Sequence, residues 1–199
     1  METHVQEFFK HDDYFIDEKV AFLKFTNAYK VYNNAGDLIG AIKETMPAGL
    51  KILSIFLNKS LFPFKLDILN SEEKVLATIK RGWTFFMSKI SVTDSGGNTI
   101  AIIRQQFKFF KPTFHIVQHD ETPIASITGD WKAWNFSIVD HGSNQIGTIT
   151  KKWNGILKEA FTTADKYIVS INPGVVEDVK KIAVVATAIT IDMVLKESK

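Results

Sequence analysis

Four places in the chain set a cation beside an aromatic ring: Lys80-Arg81-Gly82-Trp83, Lys108-Phe109-Phe110-Lys111, Trp131-Lys132-Ala133-Trp134 and Lys151-Lys152-Trp153. Lysine and arginine each attract anionic headgroups by about 1 kcal/mol near a charged surface, and tryptophan suits the boundary between polar and apolar layers. Lys80, Arg81, Lys108, Lys111, Lys132, Lys151 and Lys152 are therefore candidate ligands for an anionic phospholipid or membrane surface. The same pairing serves nucleic acid, through phosphate neutralisation and base stacking. A plainer role competes with both: aromatic rings plug the ends of barrels, and lysines keep strand edges soluble.

Other chemistry has little to stand on. His115 and His119, if they share a strand, stand about 13 Å apart along it, too far for one metal ion. Asp12-Asp13 and Asp120-Glu121 are adjacent acids in turn-like sequence, so their carboxylates need not converge as a general acid and base must. There is no glycine-rich phosphate loop, nucleophile elbow or paired set of metal ligands, so the chain does not read as an enzyme. The absence of cysteine excludes disulfides, thiolate metal sites, a cysteine nucleophile and palmitoylation, and is compatible with a reducing compartment. A formal charge of +2 is too small to argue for nucleic acid or membrane by itself, which leaves only local clusters to do so. Met1 to Glu7 lacks the basic and apolar regions of a secretory signal. The expectation is a soluble cytoplasmic protein, peripheral at the membrane, that needs no detergent.

These clusters must be positioned by strands. Alternating runs joined by turn residues recur at Ala28–Lys43, Phe64–Ile79, Lys89–Ile103, Phe114–Ile127 and Phe136–Ile149. Every copy ends in a small residue, one spacer and isoleucine: Gly40/Ile42, Ala77/Ile79, Ala101/Ile103, Ala125/Ile127 and Gly147/Ile149. Regular hairpins of this length indicate a meander that closes into a barrel or sandwich. An earlier aromatic and branched stretch, Tyr14 to Phe25, reads as a strand pair with an acidic turn at Asp17-Glu18. Ala48 to Asn58 fits neither period and reads as a short helix or an irregular connection.

The stretch from Val179 to Leu195 differs. It is apolar on every side of a helical wheel, so it has to be enclosed by protein or lipid. Its uncharged run of roughly ten residues is short against the about 20 that span a bilayer. The β-branched Ile182, Val184, Val185, Ile189 and Ile191 also suit a buried strand, but a strand of that length exceeds the usual range. The sequence thus predicts a single domain over residues 1–199, a sheet wrapped round one central helix at 179–195. Ile182, Val185 and Ile189 would face the wall, and Asp192 would need the rim or a hydrogen-bond donor.

The run Gly147-Thr-Ile-Thr-Lys-Lys-Trp-Asn-Gly-Ile-Leu-Lys-Glu-Ala-Phe-Thr-Thr-Ala-Asp165 resembles the signature segment of the phospholipid scramblase family, which carries a close KxWxGxxxEAFTxAD pattern. Tyr29-Lys-Val-Tyr-Asn-Asn-Ala-Gly, Pro63-Phe-Lys-Leu-Asp-Ile-Leu and the apolar stretch ending Ile191-Asp192 are similar in the same order. The likeness runs from Lys24 to Glu197. It implies the fold shared with Tubby C-terminal domains and LURP-one-related proteins: an all-β, closed, roughly twelve-stranded antiparallel barrel around a buried C-terminal hydrophobic helix. It also implies phospholipid scrambling or lipid organisation, with a nucleic-acid or protein interaction module of the Tubby type as the alternative. The family's proposed calcium loop opens with two acids, matched here by Thr163 and Asp165, so half the pair is missing. Calcium takes six or more oxygen ligands. Asp165 alone makes a weak calcium site, and no cofactor is expected. A small-ligand carrier would require a cavity that the central helix fills.

Overall fold

The computed structural model describes residues 7–20, 27–45, 62–83, 89–108, 111–130, 132–151, 166–175 and 177–197. Twelve strands and a long helix follow one another in the chain. The strands are β1 (Asp13–Val20), β2 (Asn27–Tyr32), β3 (Leu38–Glu44), β4 (Phe64–Asn70), β5 (Val75–Arg81) and β6 (Lys89–Asp94). They continue with β7 (Thr99–Lys108), β8 (Lys111–Val117), β9 (Pro123–Asp130), β10 (Asn135–Val139), β11 (Gln145–Thr150) and β12 (Lys166–Ile171). The helix spans Asp178–Glu197. Each strand pairs antiparallel with its sequence neighbours, and β12 returns to β1, closing the expected barrel with no unpaired edge.

Five hairpins, β2–β3, β4–β5, β6–β7, β8–β9 and β10–β11, share one turn. The residue that opens it (Asn33, Asn70, Asp94, Gln118 or Asp140) accepts at its carbonyl the amide of the residue three positions on, and donates its own amide four positions on. The residue at the third step has positive φ in every copy: Gly36, Glu73, Gly97, Glu121 and Ser143. In four of the five, the opening Asn or Asp also takes backbone amides on its side-chain oxygen, which holds the turn from within. A register shift follows in each hairpin, so one extra residue of the outgoing strand bulges: Ile39, Leu76, Ile100, Ile124 and Ile146. All five pack on the core near where the helix begins.

The small-spacer-isoleucine motif now has a cause. Gly40, Ala77, Ala101, Ala125 and Gly147 lie opposite Val31, Ile68, Val92, Ile116 and Ile138 across their hairpins, and the isoleucine two positions on shares the inward face. A Cβ on Gly147 would come within 2.4 Å of the Ser170 carbonyl oxygen, so no larger side chain fits between β11 and β12.

The predicted central helix is a helix and fills the barrel. Residues 181–194 are all buried, with Val185 and Ile189 at 0% exposure and Ile182 at 5%. Asp178 in its first turn complements the helix dipole, and Lys181 fastens that end to the residues just before β1 by donating to Asp12 Oδ1 (2.9 Å) and the His11 carbonyl (3.1 Å). The outward positions, by contrast, include Lys30, Lys43, Asp67, Thr78, Lys80 and Arg104.

One expectation is corrected here. Asp17-Glu18 is not a turn but the middle of β1, which runs unbroken from Asp13 to Val20. Ile16 faces inward and Asp17 outward, where Lys166 of β12 lies opposite it with 3.5 Å between ammonium and carboxylate. The charge is met on the strand, so no turn is needed to expose it. Ala48 to Asn58 lies outside the described residues.

Candidate functional site: the rim opposite the hairpin turns

In a meander, the even-to-odd connections all lie at one end and the odd-to-even connections at the other. The five tight turns and the start of the helix occupy the first end. All four cation-aromatic clusters begin at odd-to-even connections, β5–β6, β7–β8, β9–β10 and β11–β12, and their described members, Lys80 to Trp83, Lys108, Lys111, Lys132 to Trp134 and Lys151, gather at the opposite rim.

Lys80 is exposed on the outer face of β5. Trp83 follows, 55% exposed, its ring 5.3 Å from the buried Phe62 ring. Arg81 departs from the sequence expectation. It lies in phase with Ala77 and Ile79 on the inward face and is 1% exposed. Its Nε and Nη2 both donate to the Phe62 carbonyl, at 3.2 and 2.7 Å, and its guanidinium sits 4.6 Å from the Phe64 ring centre. Arg81 is thus no surface ligand. It pins the segment on which Trp83 rests, and Phe62, which no sequence signal marked, is the link between them.

Four strands further round the rim, Asp130 Oδ1 accepts the amides of Lys132 and Ala133 and folds a turn that leaves Lys132 exposed. Trp134 closes this turn with φ at 49°, a conformation bulky residues seldom adopt. Its ring packs on Phe136 and Tyr167, with centroids at 6.0 and 5.2 Å. The Lys151 ammonium lies 4.4 Å over the Trp134 ring, while the Lys151 amide donates to the Trp134 carbonyl at 3.3 Å. Aromatic platform and cation thus come from two different connections.

Lys108 and Lys111 lie opposite one another where β7 meets β8. Phe109, Phe110, Trp131, Lys152, Trp153 and Asp165 lie outside the described residues. The residues after Asp165 form β12.

Asp192 finds its donor inside the barrel: it is 1% exposed and accepts the Tyr29 hydroxyl at 3.1 Å on Oδ2. His115 and His119 do not meet. His115 bridges Ser126 Oγ (3.0 Å) and Gln106 Oε1 (3.2 Å) across three strands of the outer wall, and His119 lies in an exposed turn. Among the described residues no group of His, Asp and Glu is placed to hold a metal, and no helix is long and apolar enough to cross a membrane.

Comparison with known proteins agrees with this architecture. A crystal structure of an Arabidopsis thaliana protein superposes with a TM-score of 0.51, covering 94% of this chain and 91% of that one at 8% sequence identity, a likeness of fold alone. The scramblase family profile matches residues 18–198, nearly the whole length, and with it the signature run from Gly147 to Asp165. A closed barrel around its own helix, carrying that signature, belongs to the scramblase family.

Proposed function

We propose that this protein binds anionic phospholipid surfaces through the rim opposite its hairpin turns. The observation that carries the reading is topological: the described members of four cation-aromatic clusters, scattered over some seventy positions, converge on one end of the barrel. Family membership supports a lipid-related role. Lys80, Lys132 and Lys151 there contribute about 1 kcal/mol each beside an anionic surface, which is enough for reversible docking and too little for permanent anchoring. The role is a surface one. A helix already enclosed by its own strands cannot also line a path for headgroups, so scrambling by one chain alone is not part of the reading.

Sedimentation with phosphatidylcholine vesicles, with and without phosphatidylserine, tests it. Pelleting is expected only with the anionic lipid, falling as salt rises, and falling further in a Lys80→Glu/Lys132→Glu variant. Lys151→Glu/Lys152→Glu probes the signature segment in the same assay. Absence of pelleting at low ionic strength, or binding indifferent to lipid charge, sinks the proposal.

A further inference from the structure

Among the described residues, the two ends of the barrel carry opposite charge. The five hairpin turns hold Asp37, Glu72, Glu73, Asp94, Asp120, Glu121 and Asp140 against Lys74 alone. Glu72, Glu73 and Glu121 are met by Lys74, Lys43 and Arg104. The carboxylates of Asp94, Asp120 and Asp140 instead accept hydrogen bonds from their own turns, which keeps them ionised. Strands of about seven residues, tilted as in any barrel, separate the ends by roughly 20 Å, two Debye lengths or more at physiological salt. A charged plane touching one end therefore hardly senses the other, and the sign of the near end decides which way the molecule settles. The exposed aliphatic side chains Leu38, Val75 and Val179 all lie at the acidic end, where an anionic plane is repelled. Trp83, the most exposed large apolar residue described, lies at the basic end on the Phe62 platform that Arg81 pins.

Building on the lipid-binding reading above, we infer that the barrel docks end-on, with Trp83 entering the headgroup layer of an anionic bilayer beside Lys80 and Lys132 while the five acidic turns point away into solvent. Side-on docking would lay both ends against the plane and set the acidic turns beside it. End-on docking leaves the helix axis steep to the membrane and the hairpin turns free to face other molecules.

The chain has no cysteine, so a single introduced one carries a polarity-sensitive dye at a known place. Ala133→Cys marks the basic rim and Ser95→Cys the turn end, both at exposed positions. On addition of phosphatidylserine-containing vesicles the Ala133→Cys label is expected to shift to the blue and the Ser95→Cys label to stay unchanged. Trp83→Ala, with an unaltered melting temperature, is expected to weaken vesicle affinity about tenfold. Pelleting accompanied by an equal or larger shift at Ser95→Cys, or by parental affinity in Trp83→Ala, overturns the pose and leaves lipid binding standing. No pelleting of the parent protein overturns both.

Discussion

The Tyr29 hydroxyl donates to Asp192 at 3.1 Å across 163 positions of sequence, tying β2 to the helix inside the barrel. A carboxylate in such a place is tolerated because donors reach it, and a hydrogen bond to a charged group is worth about 1.5–3 kcal/mol. Tyr29→Phe keeps the ring and removes the donor. Its unfolding free energy should fall by about that amount. Parental stability in urea titration would show that the bond has no net weight.

The repeated turn gives a second expectation. A non-glycine residue with φ near 65°, such as Ser143, stands in a conformation that costs about 1–2 kcal/mol, part of which glycine would return by loosening the unfolded chain. Ser143→Gly should therefore stabilise by about 0.5–1 kcal/mol, and Gly97→Ser destabilise by a similar amount. A Cβ at Gly97 meets no atom within 4 Å, so the second change isolates the backbone. Thermal melts in which the two variants moved the same way would contradict this.

Space rather than conformation governs Gly147. The carbonyl of Ser170 stands where its Cβ would go, and that atom is backbone and cannot rotate aside. Gly147→Ala should cost about 1–3 kcal/mol by forcing β11 and β12 apart. Gly174→Ala, with open space around the added carbon, is the control and should change stability by less than about 0.5 kcal/mol.

Acid should loosen the end where the helix begins. Burial, and then the charges of Lys10 and Lys181, hold His11 below its usual value of 6.5. The unfolded chain therefore takes up the proton first as pH falls. This contribution to stability is whole above about pH 6.5 and is lost as pH drops through the folded-state value. The His11 proton resonance should titrate below 6.5, and melting temperature should fall between neutral and mildly acid pH less steeply in His11→Gln than in the parent.

Much of the fold was legible because two periods are written plainly into the chain. Alternation with Asn, Asp and Gly turns marked the five hairpins, and a run apolar on every side marked the helix. The bulges were not legible: Ile39, Leu76, Ile100, Ile124 and Ile146 look like ordinary strand residues until the register shift turns them inward. Asp17 misled because its partner, Lys166, is 149 positions away. At the rim, residue type favoured Arg81 as a surface ligand, whereas strand phase, already readable from Ala77 and Ile79, put it inside. Strand parity could have shown that the described members of all four clusters share one end, since each cluster follows an odd-numbered strand. The Lys151 and Trp134 contact depends on two connections folding together, which no local pattern records.

The order of elements has a consequence for biosynthesis. All twelve staves leave the ribosome before the peg that occupies their lumen, so the wall cannot complete its interior while translation is still short of Asp178. Until then its apolar lining has nothing to press against, and the cell must shelter a nearly finished cask that is still hollow.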